Sequence, residues 1–207
     1  MNKFSKNPYT MENIIIPSKL DDKEGIDKFI GSNFGRKIIV VQGLGFVGAV
    51  MSIVCANSEK EKYAVIGIDR ASKDSYWKIG EINAGVCPVI SSDPLVLDFF
   101  ENAKKRKNLF ATHDPRAFSY ADTIIIDINL DVTKTKDNED NIESYDVPIE
   151  SFKNAIESIG SVCREDVLIL VETTVPPGTC RKIIYPIIKE NLKSRGLATN
   201  KFKLGHS

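Results

Sequence analysis

The sequence predicts an α/β protein, a Rossmann-like doubly wound parallel sheet in three layers, α/β/α. Apolar runs rich in β-branched residues, such as KIIVVQ (37–42) and DVLILVET (166–173), are continuous, which is typical of strands buried on both faces. Segments with helical apolar spacing alternate with these runs, and that alternation indicates a parallel sheet. No repeat with a period of about 20 to 50 residues is present, which disfavours a solenoid.

The elements follow in chain order. We expect residues 1–35 to form a polar N-terminal extension with a short amphipathic helix, and residues 36–207 to form one domain. The apolar runs predict strands at 37–42, 63–69, 108–113, 121–130, 166–173 and, starting near the end of the chain, 201–207. Helical spacing predicts helices at 46–58, 93–107, 148–163 and, after a turn, within 176–196.

Local signals support the predicted helices. Asp93 can cap the helix that follows it, and Pro94 suits the first turn. Pro186 must kink or divide the last helix, because proline lacks the N–H that a helix interior needs. Residues 78–90 are rich in turn formers and predict a loop or short helix, and the polar residues 131–147 predict a surface loop.

Composition excludes several classes of function. Lys plus Arg total 28 and Asp plus Glu total 28, so no net charge attracts nucleic acid or an anionic membrane. The four cysteines are scattered, with no Cys-x-x-Cys pair and only two histidines, so we expect no metal site and no disulfides. The N-terminus has no apolar stretch long enough for a signal peptide or a membrane span. We therefore expect a soluble, cytoplasmic protein.

Three glycines interrupt the stretch IIVVQGLGFVGAVMSIVCA, between the first buried strand and the helix after it. In a strand–turn–helix unit the first glycine permits the tight turn, the second lets the backbone approach a pyrophosphate, and the third lets helix and strand pack closely. Gly43, Gly45 and Gly48 fit these roles. The helix would direct its N–H groups and positive dipole end at the phosphates.

An acidic residue stands where a dinucleotide site needs one. Asp69 ends the next strand, 69 − 48 = 21 residues after Gly48, close to the ~20 expected of the carboxylate that binds the adenosine ribose. Its charge would repel a 2′-phosphate, so NAD is favoured over NADP, although Arg70 can partly offset that repulsion. The alternatives are a glycine-rich turn without a ligand and an S-adenosylmethionine-dependent methyltransferase, whose loops also precede an acidic residue.

A second polar group of residues lies near the other end of the chain. Glu172, Thr173 and Thr174 lie at the C-terminal end of a buried strand and precede Pro176, Pro177 and Gly178. Open α/β sheets bind ligands at the carboxyl ends of their strands, so these residues can belong to a site. They are equally well explained as a strand end and a proline-fixed turn, with Thr179 capping the next helix.

Several separate segments resemble the NAD-binding domain of the UDP-glucose/GDP-mannose dehydrogenases, also called nucleotide-sugar 6-dehydrogenases. The resemblance covers about residues 37–207, in the family's own order. ETTVPPGT is similar to the family's Glu-Ser-Thr-Val-Pro-Pro-Gly-Thr signature, which is its most specific part. The other similar segments are GLGFVG, GIDR, INAGVCPV, NLFATHD and FKLGHS.

The resemblance implies an NAD-dependent enzyme of polysaccharide biosynthesis. Such enzymes oxidise the C6 alcohol of a nucleotide sugar to the acid with two NAD⁺, and a catalytic cysteine traps the aldehyde. A UDP-sugar (UDP-glucose or a UDP-N-acetyl-hexosamine) is the expected substrate, with GDP-mannose as the alternative. By position, Thr174 and Glu172 would line the catalytic pocket. The cofactor-binding residues would be Gly43, Leu44, Gly45, Phe46, Val47, Gly48, Asp69, Arg70 and Thr174.

The chain departs from the family pattern in two ways. DINLDV (127–132) stands where the family usually has Val-Pro-Thr-Pro, next to the cofactor's adenosine side. The chain ends at GHS, before the positions of the family's central helix, catalytic cysteine and sugar-nucleotide domain. We therefore expect these 207 residues to hold NAD without completing the oxidation, and the full-length protein to be a homodimer. A non-catalytic NAD-binding module is the remaining alternative.

Overall fold

The computed structural model describes residues 3–19, 21–130, 133–137, 139–146 and 149–207. The strands of this described part are β1 (Lys3–Lys6), β2 (Asn13–Ile16), β3 (Lys37–Gln42), β4 (Tyr63–Ile68), β5 (Leu109–Thr112), β6 (Thr123–Ile126), β7 (Thr133–Lys136), β8 (Ile142–Asp146), β9 (Leu168–Val171) and β10 (Lys203–His206). Its α-helices are α1 (Lys23–Ser32), α2 (Phe46–Ala56), α3 (Tyr76–Ala84), α4 (Pro94–Arg106), α5 (Ile149–Gly160) and α6 (Tyr185–Ser194). A 3₁₀ turn (Pro115–Tyr120) precedes β6.

Six strands form the central sheet, in the order β10-β9-β6-β3-β4-β5, and every pairing is parallel. Within this sheet the chain starts at β3, runs outward through β4 and β5, and returns to β6 on the other side of β3. This is the strand order of a doubly wound dinucleotide-binding sheet. The order reverses between β3 and β6, where such sheets hold their ligands, so the predicted fold class is confirmed.

Helices cover both faces of the sheet, which gives the three layers. Side chains alternate along β3: Ile38 and Val40 pack with α5 and α6, and Ile39 and Val41 lie on the opposite face, where α2 packs. Both faces are buried, which explains why the strand is apolar at consecutive positions. Phe152, Ile156 and Ile159, which give the segment 148–163 its helical spacing, are all fully buried.

Two polar segments form hairpins that the sequence did not predict. β1 and β2 pair antiparallel within the N-terminal extension. The prediction of a surface loop at 131–147 was wrong, because β7 and β8 form a second antiparallel hairpin there. Asp137 closes its turn by accepting hydrogen bonds from the Glu139 and Asn141 N–H groups. Residues 131, 132, 138, 147 and 148 lie outside the described part of the chain.

The N-terminal extension packs on the domain. α1, which the sequence predicted, buries Ile26 and Phe29, and the Phe29 ring stacks on Phe110 of β5. Asp22, just before α1, accepts a 2.6 Å hydrogen bond from the Thr112 hydroxyl at the carboxyl end of β5. Within the described residues, no helix has both the length and the apolar character needed to cross a membrane.

The last helical segment divides as proline requires. A π-helical turn, Cys180–Ile184, leads into α6, and Pro186 lies in the first turn of α6, where its missing N–H costs little. At α4 the predicted cap is present: the Asp93 carboxylate accepts a 2.9 Å hydrogen bond from the Leu95 N–H. Residues 78–90 are helical only up to Ala84, where Gly85 ends α3 with a φ of +77°.

Candidate cofactor site

The glycine turn joins β3 to α2 at the point where the strand order reverses. Gly43 has a φ of +101°, in the region that side chains rarely adopt. A Cβ on Gly48 would lie 1.9 Å from the Gly43 carbonyl oxygen, so only glycine lets α2 approach β3 this closely. By contrast, a Cβ on Gly45 would meet none of the described atoms within 4 Å, so the turn is open there.

α2 begins at this turn, with Gly45 as its N-cap residue. The Ala49 N–H makes the first backbone bond of the helix, to the Gly45 carbonyl, at 3.0 Å. The N–H groups of a first turn have no intrahelical partner and carry the positive end of the dipole. No acidic side chain occurs in this first turn, and the Phe46 and Val47 side chains are more than half exposed. The turn thus offers N–H groups to an anion.

Leu44 contributes in a different way from its neighbours. Its side chain is fully buried, and a Cβ on Gly67 of β4 would lie 2.5 Å from Leu44 Cδ2. The residue therefore faces the core, and only its backbone faces the turn. The Leu44 N–H donates to Asp69 Oδ2 at 3.2 Å.

Asp69 lies directly after β4, next to the glycine turn. Besides the Leu44 N–H, its carboxylate accepts a 2.7 Å bond from the Arg70 N–H. The Lys78 ammonium of α3 lies 2.7 Å from Asp69 Oδ2, and both side chains are largely buried, at 16% and 11% exposure. The Arg70 side chain is exposed. The structure thus brings the predicted glycines and the predicted acid together.

Lys78 is the residue that the sequence reasoning missed. It stands nine positions after Asp69, inside a segment predicted as loop or short helix. Ile79 and Ile82 of α3 are buried against the sheet. Residues three positions apart lie on the same face of a helix, so Ile79 and Ile82 indicate which face of α3 packs on the sheet. Lys78 is adjacent to that face, and this pattern is the one signal that could have placed it beside the sheet edge.

On the other side of the turn, the carboxyl end of β6 carries Asp127. Its backbone oxygen lies 2.4 Å from where a Gly43 Cβ would be, and its Oδ2 3.2 Å from a Gly48 Cβ. Among the described residues, Asp127 Oδ2 and Gln42 Oε1 are buried without a hydrogen-bond partner. Burial, and then the charge of Glu172, raise the pKa of Asp127 above its ordinary value.

The segment after β9 lies beside β6. The N–H groups of Glu172 and Thr173 both donate to the Ile126 carbonyl, at 3.0 and 3.3 Å. Glu172 is partly buried and Thr174 is exposed. Thr179 does not cap the helix that follows it: its hydroxyl donates instead to the Pro176 carbonyl at 2.7 Å, which closes the proline turn.

The four cysteines are free thiols, and burial raises the pKa of each one. The charge of Glu172 raises the pKa of Cys55 in α2 further. Cys163 is completely buried. Since the thiolate is the nucleophile, a raised pKa makes all four poor nucleophiles at neutral pH.

The chain matches one family model over residues 37–207, described as the UDP-glucose/GDP-mannose dehydrogenase family, NAD binding domain. Among similar curated proteins, a UDP-N-acetyl-D-mannosamine dehydrogenase of Methanococcus maripaludis is 29% identical over 158 residues, covering 76% of this chain and 33% of its own. A GDP-mannose 6-dehydrogenase of Pseudomonas putida is 29% identical over 157 residues, which cover 73% of this chain and 32% of that relative. The chain spans about a third of the length of these relatives.

Solved structures agree in fold. A ternary complex of a GDP-mannose dehydrogenase from Pseudomonas aeruginosa superposes with a TM-score of 0.62 at 25% identity, covering 81% of this chain and 35% of the other. An NDP-N-acetyl-D-galactosaminuronic acid dehydrogenase from Methanosarcina mazei gives a TM-score of 0.67 at 24% identity. The superposition covers 87% of this chain and 36% of the other.

Proposed function

Because the chain belongs to the UDP-glucose/GDP-mannose dehydrogenase family, we propose that residues 36–207 supply the NAD site of a nucleotide-sugar 6-dehydrogenase. The cofactor of this family domain is NAD. The observation that carries the proposal is the glycine turn, in which Gly43 and Gly48 bring α2 against β3 beside the carboxylate of Asp69. The proposed substrate is a UDP-sugar, UDP-glucose or a UDP-N-acetyl-hexosamine, oxidised at C6 to the acid.

The residues around the turn fit a dinucleotide. Gly45 leaves open space where a pyrophosphate must approach the backbone, and the first-turn N–H groups of Phe46, Val47 and Gly48 suit its negative charge. Asp69 would accept hydrogen bonds from the adenosine ribose, and Leu44 and Arg70 hold its carboxylate through their N–H groups. NAD, when bound, accepts the hydride that leaves the sugar.

Glu172 and Thr174 are the residues that we propose for the catalytic pocket. Both follow β9 at the carboxyl edge of the sheet, on the far side of the turn from Asp69. A partly buried carboxylate and an exposed hydroxyl can hold a water molecule and accept or pass on its proton. Their neighbour Asp127 adds a second carboxyl group, whose charge is disfavoured by burial.

We propose that the nucleophile of the reaction lies outside these 207 residues, and the raised pKa of all four cysteines supports this. We therefore propose that the chain alone binds NAD without turnover. The alternative substrate is GDP-mannose, supported by the relative from Pseudomonas putida, and a non-catalytic NAD-binding module remains the second alternative. We further propose a cytoplasmic protein that is homodimeric at full length.

Calorimetry on the 207-residue chain with NAD, NADP and S-adenosylmethionine tests the cofactor site. We expect NAD to bind and NADP to bind about tenfold more weakly, because Asp69 would face the 2′-phosphate. Binding of S-adenosylmethionine with no heat from NAD would overturn the proposal. In a parallel assay the chain is incubated with NAD and a panel of UDP- and GDP-sugars, and NADH absorbance is followed. NADH formation with any of the sugars would contradict the expected inactivity and identify the substrate.

A further inference from the structure

We propose that the N-terminal hairpin, residues 3–16, is a positioning element for the ribose end of the cofactor site and acts through α3. The proposal rests on the ribose role of Asp69 proposed above. The family model matches only from residue 37 onward, so it gives the hairpin no role. Several contacts join the hairpin to α3, and an ion pair joins α3 to Asp69.

The first contact supplies the missing cap of α3. Ser75, the N-cap residue, makes no side-chain capping bond within the described structure. The completely buried hydroxyl of Ser5 takes its place, accepting from the Trp77 N–H at 2.9 Å and donating to the Lys73 carbonyl at 2.7 Å. One hydroxyl thus fixes both the start of α3 and the loop that links it to Asp69.

Two further contacts involve Gly80 and Glu81, later in α3. A Cβ on Gly80 would be 2.7 Å from Ile14 Cγ2, so the absence of a side chain lets β2 pack directly on the helix. The Asn7 amide donates to the Glu81 carboxylate, and both side chains are buried. Three successive elements of the hairpin (β1, its turn and β2) therefore hold one helix.

Lys78 connects α3 to the proposed cofactor site. It belongs to α3, and its ammonium lies 2.7 Å from Asp69 Oδ2, the same oxygen that accepts from the Leu44 N–H of the glycine turn. A shift of α3 must therefore move Lys78 or break its ion pair with Asp69. The hairpin sets the orientation of the carboxylate that would bind the ribose, although it contributes no atom to that site.

Calorimetry with NAD and with its analogue lacking the adenosine 2′-hydroxyl tests this role on the full 207-residue chain. The readout is the ratio of the two affinities, because a general loss of stability weakens both ligands alike. We expect Ser5→Ala to weaken NAD by about three- to tenfold and to bring the ratio toward one. Ser5→Thr keeps the hydroxyl, so its NAD affinity and its affinity ratio should equal those of the unmodified chain.

Gly80→Ala, measured in parallel, pushes Ile14 away from α3 while keeping the Ser5 hydroxyl, and it should lower the same ratio. Ser194→Ala is the matched control: its hydroxyl donates to the Asn191 carbonyl in α6, and the ratio should not change. An unchanged ratio in both Ser5→Ala and Gly80→Ala overturns the proposal if Asp69→Ala lowers it. An unchanged ratio in Asp69→Ala shows instead that the ribose role itself is wrong.

Discussion

Asp69 and Asp127 lie at the same edge of the sheet, on either side of the glycine turn, in opposite environments. Asp69 follows β4 and receives two backbone N–H groups and the Lys78 ammonium. Asp127 follows β6, has an oxygen that meets no donor among the described residues, and lies near the negative charge of Glu172. The structure therefore surrounds the Asp69 carboxylate with hydrogen-bond donors, whereas burial raises the pKa of Asp127.

The difference shows that residue type alone does not fix a role at this edge. Backbone N–H groups and a cation stabilise the ionised form of a carboxylate, whereas burial beside a like charge favours its protonated form. A sugar hydroxyl needs the first kind of acceptor. The second kind retains its proton to higher pH and can exchange it with a neighbouring group.

The largest expected effect comes from breaking the turn where the two regions meet. Gly48→Ala would place a methyl group 1.9 Å from the Gly43 carbonyl oxygen. We expect the free energy of unfolding to fall by about 3 kcal/mol or more, since backbone must move to admit the added atom. Chemical denaturation followed by circular dichroism measures the change.

Gly31→Ala is the matched control for that substitution. Gly31 lies in α1, and none of the described atoms is within 4 Å of its added Cβ. The free energy of unfolding of this variant should rise by about 0.5 to 1 kcal/mol, because alanine has a higher helix propensity than glycine. Equal losses of stability in both variants would contradict the close-packing role of Gly48.

The next effect concerns the Asp69 side of the comparison. Asp69→Ala removes the proposed ribose acceptor and leaves Lys78 without its partner. We expect NAD affinity to fall by about 1 to 3 kcal/mol, the range for losing a charge-assisted hydrogen-bonding group. Calorimetry measures it, and an affinity equal to that of the unmodified chain would exclude Asp69 as the ribose ligand.

The smallest effect concerns the Asp127 side and depends on pH. The pKa of Asp127 is raised in the folded state, first by burial and then by Glu172. Between the ordinary aspartate pKa, about 3.9, and the raised value the folded state binds more protons, so stability falls as pH rises through this window. Asp127→Asn should remove that fall and stabilise the protein at neutral pH by on the order of 1 kcal/mol.

Thermal denaturation across the acidic range tests this expectation. Asp98→Asn, at an exposed position of α4, is the control and should change stability by less than about 0.5 kcal/mol. If Asp127→Asn lowers stability at neutral pH, the buried carboxylate has a donor, and the contrast with Asp69 disappears.

The sequence predicted those parts of the fold that local chemistry dictates. The β3–α2–β4 unit could be predicted because each strand is buried on both faces and only glycine fits the turn. The hairpin β1–β2 could not, because KFSK and NIII are only four residues each and their packing depends on α3, far along the chain. The Lys78 contact with Asp69 depends on where α3 lies over the sheet, and the buried pair Ile79 and Ile82 was only an indirect signal for it.

At the second polar group, the sequence identified residues without their environment. DINLDV was recognisable as a departure from the family pattern. The sequence did not indicate, however, that Asp127 Oδ2 is buried and has no donor within the described part of the chain. Thr179 has the sequence of a cap residue, yet its hydroxyl closes the turn of Pro176. Competing local hydrogen bonds of similar strength decide such cases, and only the folded chain selects among them.

The contact between Gly48 and the Gly43 carbonyl also affects the thermodynamics of binding. The protein's own packing sets the shape of the turn, so a ligand finds the N–H groups already oriented. Because the turn is already ordered, ligand binding does not lose the entropy that ordering a loop would cost. The affinity then depends on the contacts between the ligand and the turn. The close packing that makes Gly48 irreplaceable is thus also what makes the turn a rigid receptor.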